Sequence, residues 1–282
     1  MDRTMSESSE SSRSESRGTR YNRYLRDVQY AEPDNLNARL RLHAKYSTSP
    51  VGWFEWLHHQ FNWTGVHDAL DVGCGTGLFW STLPRTLDDV RLVLGDISRS
   101  MIDLSMAAAR QHVAHPLGVE ASVQNLPFED SSFDLVIANH MIYHAPDPNG
   151  AVREIRRVLR PGGLLVASTV GPSHLRELVE ITRAIFPAPP KRILGDVFGP
   201  VSGLAPLKQH FDNVEWRTYE DHLRCTSAKD VVAYIVSIPP GSHATPEQLR
   251  RLTKEIEKRI SDGDGVFDVV KESGVFLARC SD

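Results

Sequence analysis

The spacing of apolar residues changes several times along this chain, and each change marks a different kind of element. The first twenty residues are Ser, Glu and Arg with almost nothing apolar, so burial cannot repay their ordering entropy and residues 1–20 are expected to form a disordered tail. Tyr21, Tyr24, Leu25 and Val28 then fall at i, i+3, i+4 and i+7, one face of a helix that ends before Pro33. A second helix is predicted over Leu36 to Lys45. A third follows Ser49-Pro50 and carries Trp53, Phe54, Trp56, Leu57 and Phe61. Residues 21–64 therefore read as an aromatic helical cap.

From Ala69 the pattern becomes short β-rich runs alternating with helical stretches, which predicts an α/β fold with a mostly parallel sheet covered on both faces. Strands are expected at Ala69 to Val72, Val90 to Gly95, Gly118 to Val123, Phe133 to Ala138 and Gly163 to Thr169. Helices are expected near Gly77 to Leu83, Ser98 to Gln111 and Asn149 to Leu159, and Pro161-Gly162-Gly163 should turn the last helix into its strand. Residues 65–170 form the predicted core. Residues 171–282 read as lid helices and final strands completing the same domain: a helix from Ser173 to Phe186, a Pro-rich connection, a strand at Asn213 to Tyr219, a helix at Ala228 to Ile238 and a closing strand at Gly274 to Cys280. Thr245-Pro246-Glu247-Gln248 has the form of an N-cap, an N1 proline and a capping-box Gln ahead of one more helix.

Composition narrows the function classes. In 282 residues, 32 Lys and Arg face 36 Asp and Glu, a formal charge of −4, which argues against a nucleic-acid binder because neutralising phosphates needs a concentrated basic face. No apolar run approaches the roughly 18 residues of a spanning helix, and the N-terminus is polar, so neither a membrane segment nor a signal peptide is expected and a cytoplasmic location fits. Cys74, Cys225 and Cys280 are too few and too scattered for a disulfide framework or a zinc cluster.

The sharpest chemical signal is Leu70-Asp71-Val72-Gly73-Cys74-Gly75-Thr76-Gly77, where a predicted strand runs through three alternate glycines into a helix. Glycines there let the backbone approach a ligand, and the helix start presents unpaired N–H groups, so a nucleoside-type ligand is implied. Asp96 ends the second strand about twenty residues later, where a carboxylate can accept hydrogen bonds from ribose hydroxyls. Asn139-His140-Met141-Ile142-Tyr143-His144 follows the fourth strand at the carboxyl edge, where open α/β sheets bind ligands. His140 and His144 are four apart and would share a helical face, which makes them candidate bases. The same spacing could suit a metal, but no third ligand is near and no metal is expected.

Four ordered segments, D-V-G-C-G-T-G, G-D-I-S-R-S-M, N-L-P-F-x-D-x-S-F-D-L-V and V-L-R-P-G-G, closely resemble the class I S-adenosylmethionine-dependent methyltransferases, in particular the bacterial ubiquinone-biosynthesis and small-molecule group. The resemblance spans Ala69 to Thr169. It implies a Rossmann-like seven-stranded sheet with the last strand antiparallel, and S-adenosylmethionine as cofactor. By the resemblance, Asp71, Gly73, Cys74, Gly75 and Gly77 should pass beneath the methionine part, and Asp96 should bind the ribose. Ile97 and Met101 should sandwich the adenine, with Gln124, Asn125 and Leu126 at its edge, while Asn139 and His140 should face the methionine moiety and the methyl group. Relatives often carry an acidic residue where this chain has Ser122, which shifts adenine recognition toward backbone groups near Val123.

The family's lid segments correspond here to the cap and to the region after Gly171, whose Tyr21, Tyr24, Tyr30, Trp53, Trp56, Phe186, Phe198 and Phe211, together with Tyr143 and His144, are the candidate acceptor-binding residues. So many rings favour an apolar or aromatic small-molecule substrate. The resemblance also extends to secondary-metabolite enzymes that couple C-methylation of a prenylated indole to cyclisation, as in teleocidin-type assembly; O- or N-methylation of a quinone, phenol or amine is the alternative. A non-catalytic cofactor-binding regulator stays open, as does an NAD-dependent oxidoreductase, though its usual glycine spacing is G-x-G-x-x-G. A homo-oligomer formed through exchange of the Tyr21 to Tyr30 helix is expected.

Overall fold

The computed structural model describes residues 33–186 and 194–281. The predicted tail, the Tyr21 helix with Tyr24 and Tyr30, and the self-association assigned to that helix lie outside the described residues.

Seven strands form one sheet: β1 (Asp68–Val72), β2 (Arg91–Asp96), β3 (Leu117–Glu120), β4 (Phe133–Asn139), β5 (Leu159–Val170), β6 (Asn213–Cys225) and β7 (Phe267–Arg279). Their spatial order is β3-β2-β1-β4-β5-β7-β6, with β7 antiparallel to both its neighbours and the other pairings of the sheet parallel. This is the Rossmann-like architecture expected. The strand order reverses between β1 and β4, and a crevice opens outside the carboxyl ends at such a switch point.

Both faces of the sheet are buried, so its central strands are nearly continuous apolar runs. Leu70, Val72, Val136, Ala138, Leu165 and Ala167 pack on one face against Val152 and Ile155 of α5 (Pro148–Val158) and against Phe198 of α7 (Leu194–Phe198). Leu92, Leu94, Leu135, Ile137 and Val166 pack on the other against Trp80 of α3 (Leu78–Ser81) and Ala109 of α4 (Arg99–Ala109). The amino ends of the strands are tied by Arg160, which donates to Asp68 Oδ2 at 2.6 Å and Asp134 Oδ1 at 2.7 Å.

A third apolar cluster belongs to the cap. It joins Leu42 and Tyr46 of α1 (Pro33–Tyr46), Leu178 and Ile181 of α6 (Arg176–Ile185), Val231 and Ile235 of α9 (Ala228–Val236) and Leu252 and Ile256 of α10 (Pro246–Asp262). The capping box forms as predicted: Gln248 N–H donates to Thr245 Oγ1 at 3.2 Å and Thr245 N–H to Gln248 Oε1 at 2.8 Å. Two further short helices are α2 (Trp53–His58) and α8 (Leu204–His210).

Three expectations change. β5 starts at Leu159, four residues early, because Pro161-Gly162-Gly163 forms a bulge inside the strand: pairing jumps from Phe133↔Leu159 to Leu135↔Leu164. β3 spans Leu117–Glu120 rather than Gly118 to Val123. β6 and β7 are each thirteen residues long, so β7 meets β5 only from Ser273 to Arg279, and their remaining paired residues continue as a two-stranded arm past the carboxyl end of β5. Charged residues such as Asp221, Lys271 and Glu272 interrupt the apolar alternation there and hide the arm from a pattern reading.

Candidate active site

Loops leaving the carboxyl ends of β1, β2 and β4 surround a cavity of about 250 Å³, near the lower end of the ~300–1,000 Å³ usual for small-ligand sites. Gly73, Cys74, Gly75 and Gly77 line it after β1, Asp96 and Ile97 after β2 with Met101 on α4, and Asn139, His140 and His144 after β4. Ten of the residues proposed from sequence thus meet around one space.

The glycine loop owes its path to positive φ at all three glycines, 69° at Gly73, 54° at Gly75 and 76° at Gly77, a region costly to residues with a side chain. A Cβ at Gly73 would sit 2.8 Å from Met141 Cβ and one at Gly77 would sit 2.6 Å from Ser105 Cα, so these two serve close packing. Gly75 is different: a Cβ there meets no atom within 4 Å.

Asp96 is held by two backbone donors, Gly75 N–H to Oδ2 at 3.1 Å and Ser98 N–H to Oδ1 at 3.0 Å. Burial raises its pKa above the ordinary carboxylate value against the pull of those bonds. Each carboxylate oxygen keeps a lone pair for a further donor. On the opposite wall Ser168 Oγ donates to Asn139 Oδ1 at 3.2 Å, and Asn139 Nδ2 is buried with no protein partner. A buried amide donor without an acceptor costs about 1–3 kcal/mol until something satisfies it, so a ligand that brings an acceptor gains there.

His140 has φ 50°, and its N–H is held by Ser168 O at 3.1 Å and Ser168 Oγ at 3.0 Å. The expected shared helical face with His144 is therefore corrected: the 3₁₀ turn begins only at Ile142, and His140 precedes it in a left-handed conformation, although both imidazoles line the cavity. Burial, with help from the Lys271 charge, lowers the His140 pKa to about 4, so the ring is neutral at pH 7.

Several proposed residues fall elsewhere. Asp71 lies beneath the loop, 1% exposed, where its Oδ2 accepts from Trp80 Nε1 at 2.8 Å; burial raises its pKa to about 7 and it braces the loop instead of lining the cavity. Burial likewise pushes the Cys74 thiol far above its usual range, which removes it as a nucleophile. Gln124 and the Asp147 backbone bond reciprocally, with Nε2 donating to Asp147 O at 2.9 Å and Oε1 accepting from Asp147 N–H at 3.0 Å. Asn125 N–H donates to Ser122 O and Leu126 N–H to Glu154 Oε1. The cavity edge near them is made by Ala121, Ser122 and Val123 instead. Phe186, 3% exposed, belongs to the cap cluster, and Phe198, fully buried, packs on Phe276 at 6.0 Å, so neither ring lines the cavity. Phe211 is a buried core residue too. Tyr143 is buried behind His144, ring centroids 4.7 Å apart.

Leu40 of α1 and Phe54 of α2 also line the cavity and were not singled out. Trp53 stands next to it: its ring centroid is 5.0 Å from that of His140, 5.3 Å from that of Trp56 and 5.2 Å from that of Tyr219.

A protein-family model described as a methyltransferase domain matches residues 70–167. Over those residues the chain is thus similar to a methyltransferase domain, and the relatives that share them are named methyltransferases. The chain is 39% identical over 111 residues to the malonyl-acyl-carrier-protein O-methyltransferase of Hahella chejuensis, 39% of either chain, and therefore spans about two fifths of the length of such relatives. It is 35% identical over 127 residues to a ubiquinone/menaquinone biosynthesis C-methyltransferase of Bartonella quintana, 44% of this chain and 47% of that one. Among solved structures, a methyltransferase from Bacillus halodurans C-125 shares the fold with TM-score 0.58 at 18% identity over 82% of this chain and 99% of its own. The 4+2 cyclase SpnF does so with TM-score 0.51 at 17% identity over 88% and 93%.

The residues around the cavity fit the cofactor of such a methyltransferase domain. Gly75 leaves open space, Asp96 offers two carboxylate lone pairs where a ribose diol would need them, and Asn139 Nδ2 offers an unmet donor.

Proposed function

We propose that this chain is a methyltransferase acting on a small, largely apolar or aromatic acceptor. The observation that carries this is the cavity itself: a glycine cradle and Asp96 on one side, and on the other a cap wall of Leu40 and Phe54 beside Trp53, with no fixed charge among those three. When bound, S-adenosylmethionine supplies an already activated methyl group, so the chain's task is to position the acceptor, which can lower a barrier by several kcal/mol, up to about 7–11 in favourable intramolecular cases. Neutral His140 can accept a hydrogen bond from an acceptor X–H throughout the physiological range, but a pKa of about 4 makes it a weak base, suited to orienting that group more than to removing its proton. His144 lines the same space and is the second candidate for the proton.

The relatives named for malonyl-acyl-carrier protein suggest a carboxylate acceptor, which this aromatic wall disfavours. A narrower reading, C-methylation of a prenylated indole with cyclisation, draws support from the Trp53 ring beside the cavity: when one alkene carbon takes the methyl, the positive charge left on its neighbour would be stabilised by about 0.5–2 kcal/mol by such a ring face. An oxidoreductase is disfavoured by the Gly73, Gly75 and Gly77 spacing, which departs from the usual G-x-G-x-x-G, and a silent regulator by the intact glycine loop and Asp96. Incubation of the full chain with methyl-labelled S-adenosylmethionine and a panel of indole terpenoids, quinols, phenols and carboxylates tests all this by mass spectrometry. Label on apolar or aromatic members supports the proposal; label on carboxylates alone contradicts it, and label only on phenolic oxygen removes the narrower reading.

A further inference from the structure

Beside the cavity, the cap encloses polar groups that packing alone does not account for. Lys271 Nζ donates to Asp221 Oδ2, and Asp221 Oδ1 accepts from Ser47 Oγ at 2.8 Å, Thr48 N–H at 2.9 Å and Ser49 N–H at 3.1 Å, so that buried ion pair is complete. His174 Nδ1 lies 3.4 Å from Ser273 Oγ and its ring stacks on His43 at 6.1 Å. Besides His58 Nδ1, whose ring packs on Phe79 at 4.3 Å, two buried atoms of the described cap residues remain unmet. Trp53 Nε1 on α2 and His43 Nδ1 on α1 are both buried with no protein partner.

Each belongs to a helix that also forms the cavity wall: Phe54 adjoins Trp53, and Leu40 lies one turn before His43. His43, His140, His174 and Lys271 are also close enough for their charges to oppose one another, which puts His43 in the neighbourhood of the cavity-lining His140. Two buried polar groups left without partners would each cost about 1–3 kcal/mol, and a Phe at position 53 would fill the same place without that penalty. The penalty disappears if a ligand supplies the partners.

We propose that Trp53 Nε1 and His43 Nδ1 form the polar end of the acceptor subsite, reading a neutral hydroxyl or carbonyl oxygen on an otherwise apolar aromatic acceptor, an inference that rests on the cavity being a methyltransferase site. Trp53 Nε1 can only donate, which requires an oxygen or other acceptor atom on the ligand. His43 Nδ1 can take either role. Charge is unwelcome there: Lys271 is already neutralised by Asp221 and the lowered pKa values of His43, His140 and His174 keep those rings neutral, so neither an anion nor a cation finds a countercharge. The cavity-lining Leu40 and Phe54 would hold the apolar body.

The test uses full-length protein saturated with S-adenosylhomocysteine and titrated by calorimetry with three probes of one skeleton: 2-naphthol, naphthalene and 2-naphthoate. One neutral hydrogen bond predicts 2-naphthol binding up to about tenfold more tightly than naphthalene, with 2-naphthoate weakest. Trp53→Phe keeps a ring and removes the donor, and His43→Leu removes the second group; either should bring the ratio of 2-naphthol to naphthalene affinity down toward one. Equal binding of 2-naphthol and naphthalene by the wild type, absence of binding by both, preference for 2-naphthoate, or an undiminished 2-naphthol preference in both variants overturns the subsite. Failure of S-adenosylhomocysteine itself to bind is a separate result, which overturns the methyltransferase reading beneath it.

Discussion

The glycine loop offers a pair of substitutions whose effects should separate folding from ligand binding. In Gly77→Ala the new Cβ would lie 2.6 Å from Ser105 Cα and 3.0 Å from Ala108 Cβ on α4, and φ is 76°. The left-handed backbone costs about 1–2 kcal/mol and the overpacking against helix backbone about 1–3 more, so roughly 2–5 kcal/mol of stability is lost. In Gly75→Ala the Cβ meets nothing within 4 Å, and only the left-handed penalty at φ 54° applies, about 1–2 kcal/mol. At about 2–4 °C per kcal/mol for a chain of this size, Gly75→Ala should melt roughly 2–8 °C below wild type by scanning calorimetry, and Gly77→Ala clearly lower still. Ligand affinity should rank the other way among folded molecules. Gly75 lines the cavity, so its added methyl enters ligand space and should weaken S-adenosylhomocysteine binding by tenfold or more, on the scale of one lost close contact and one displaced backbone approach. A Gly75→Ala protein that melts as predicted yet binds S-adenosylhomocysteine like wild type would refute the assignment of this loop as the cofactor cradle.

Other outcomes follow from the same geometry. Asp96→Asn removes the charge that would receive ribose hydroxyls; at about 1.5–3 kcal/mol for a hydrogen bond to a charged group, S-adenosylhomocysteine affinity measured by calorimetry should fall roughly 10- to 150-fold. His43, whose pKa burial and then the Lys271 charge lower to about 3 against a smaller opposing effect of Asp221, refuses a proton that the unfolded chain accepts below about 6.5. Its neutral form therefore costs nothing above that pH, and stability falls as pH drops from 6.5 toward 3. Urea melts of wild type and His43→Leu at pH 7 and pH 5 should show the variant losing about 2 kcal/mol less over that interval, while the opposing contributions of Asp71 and Asp96, whose pKa values are raised, cancel in the comparison.

Local chemistry made most of the cofactor side legible in the sequence. Gly73, Gly75, Gly77 and Asp96 sit where strand ends must place them, because a run such as Leu70-Asp71-Val72 followed by alternate glycines leaves few backbone paths. What escaped depends on contacts distant in sequence. Phe198 and Phe186 had the composition of lid residues, yet their burial is decided by Phe276 and by the α6 and α9 faces, which no local pattern encodes. Asp71 faces Trp80 and not the ligand, and Gln124 is spent on Asp147 23 residues away. The arm of β6 and β7 carries Asp221 and Lys271 inward on alternating positions; read alone, those charges signal solvent, and only their pairing makes burial tolerable. Leu40 brings α1 to the cavity wall, a contact that no pattern in the chain announces.

A glycine loop and Asp96 that hold an adenosyl methyl donor should not hold a nicotinamide dinucleotide. Calorimetric titration of the full-length protein with S-adenosylhomocysteine, S-adenosylmethionine and NAD tests this most directly. One-to-one saturable binding of the two adenosyl ligands, lost on Asp96→Ala, and no heat from NAD are the expected results. Saturable binding of NAD with no response to either adenosyl ligand would contradict the assignment.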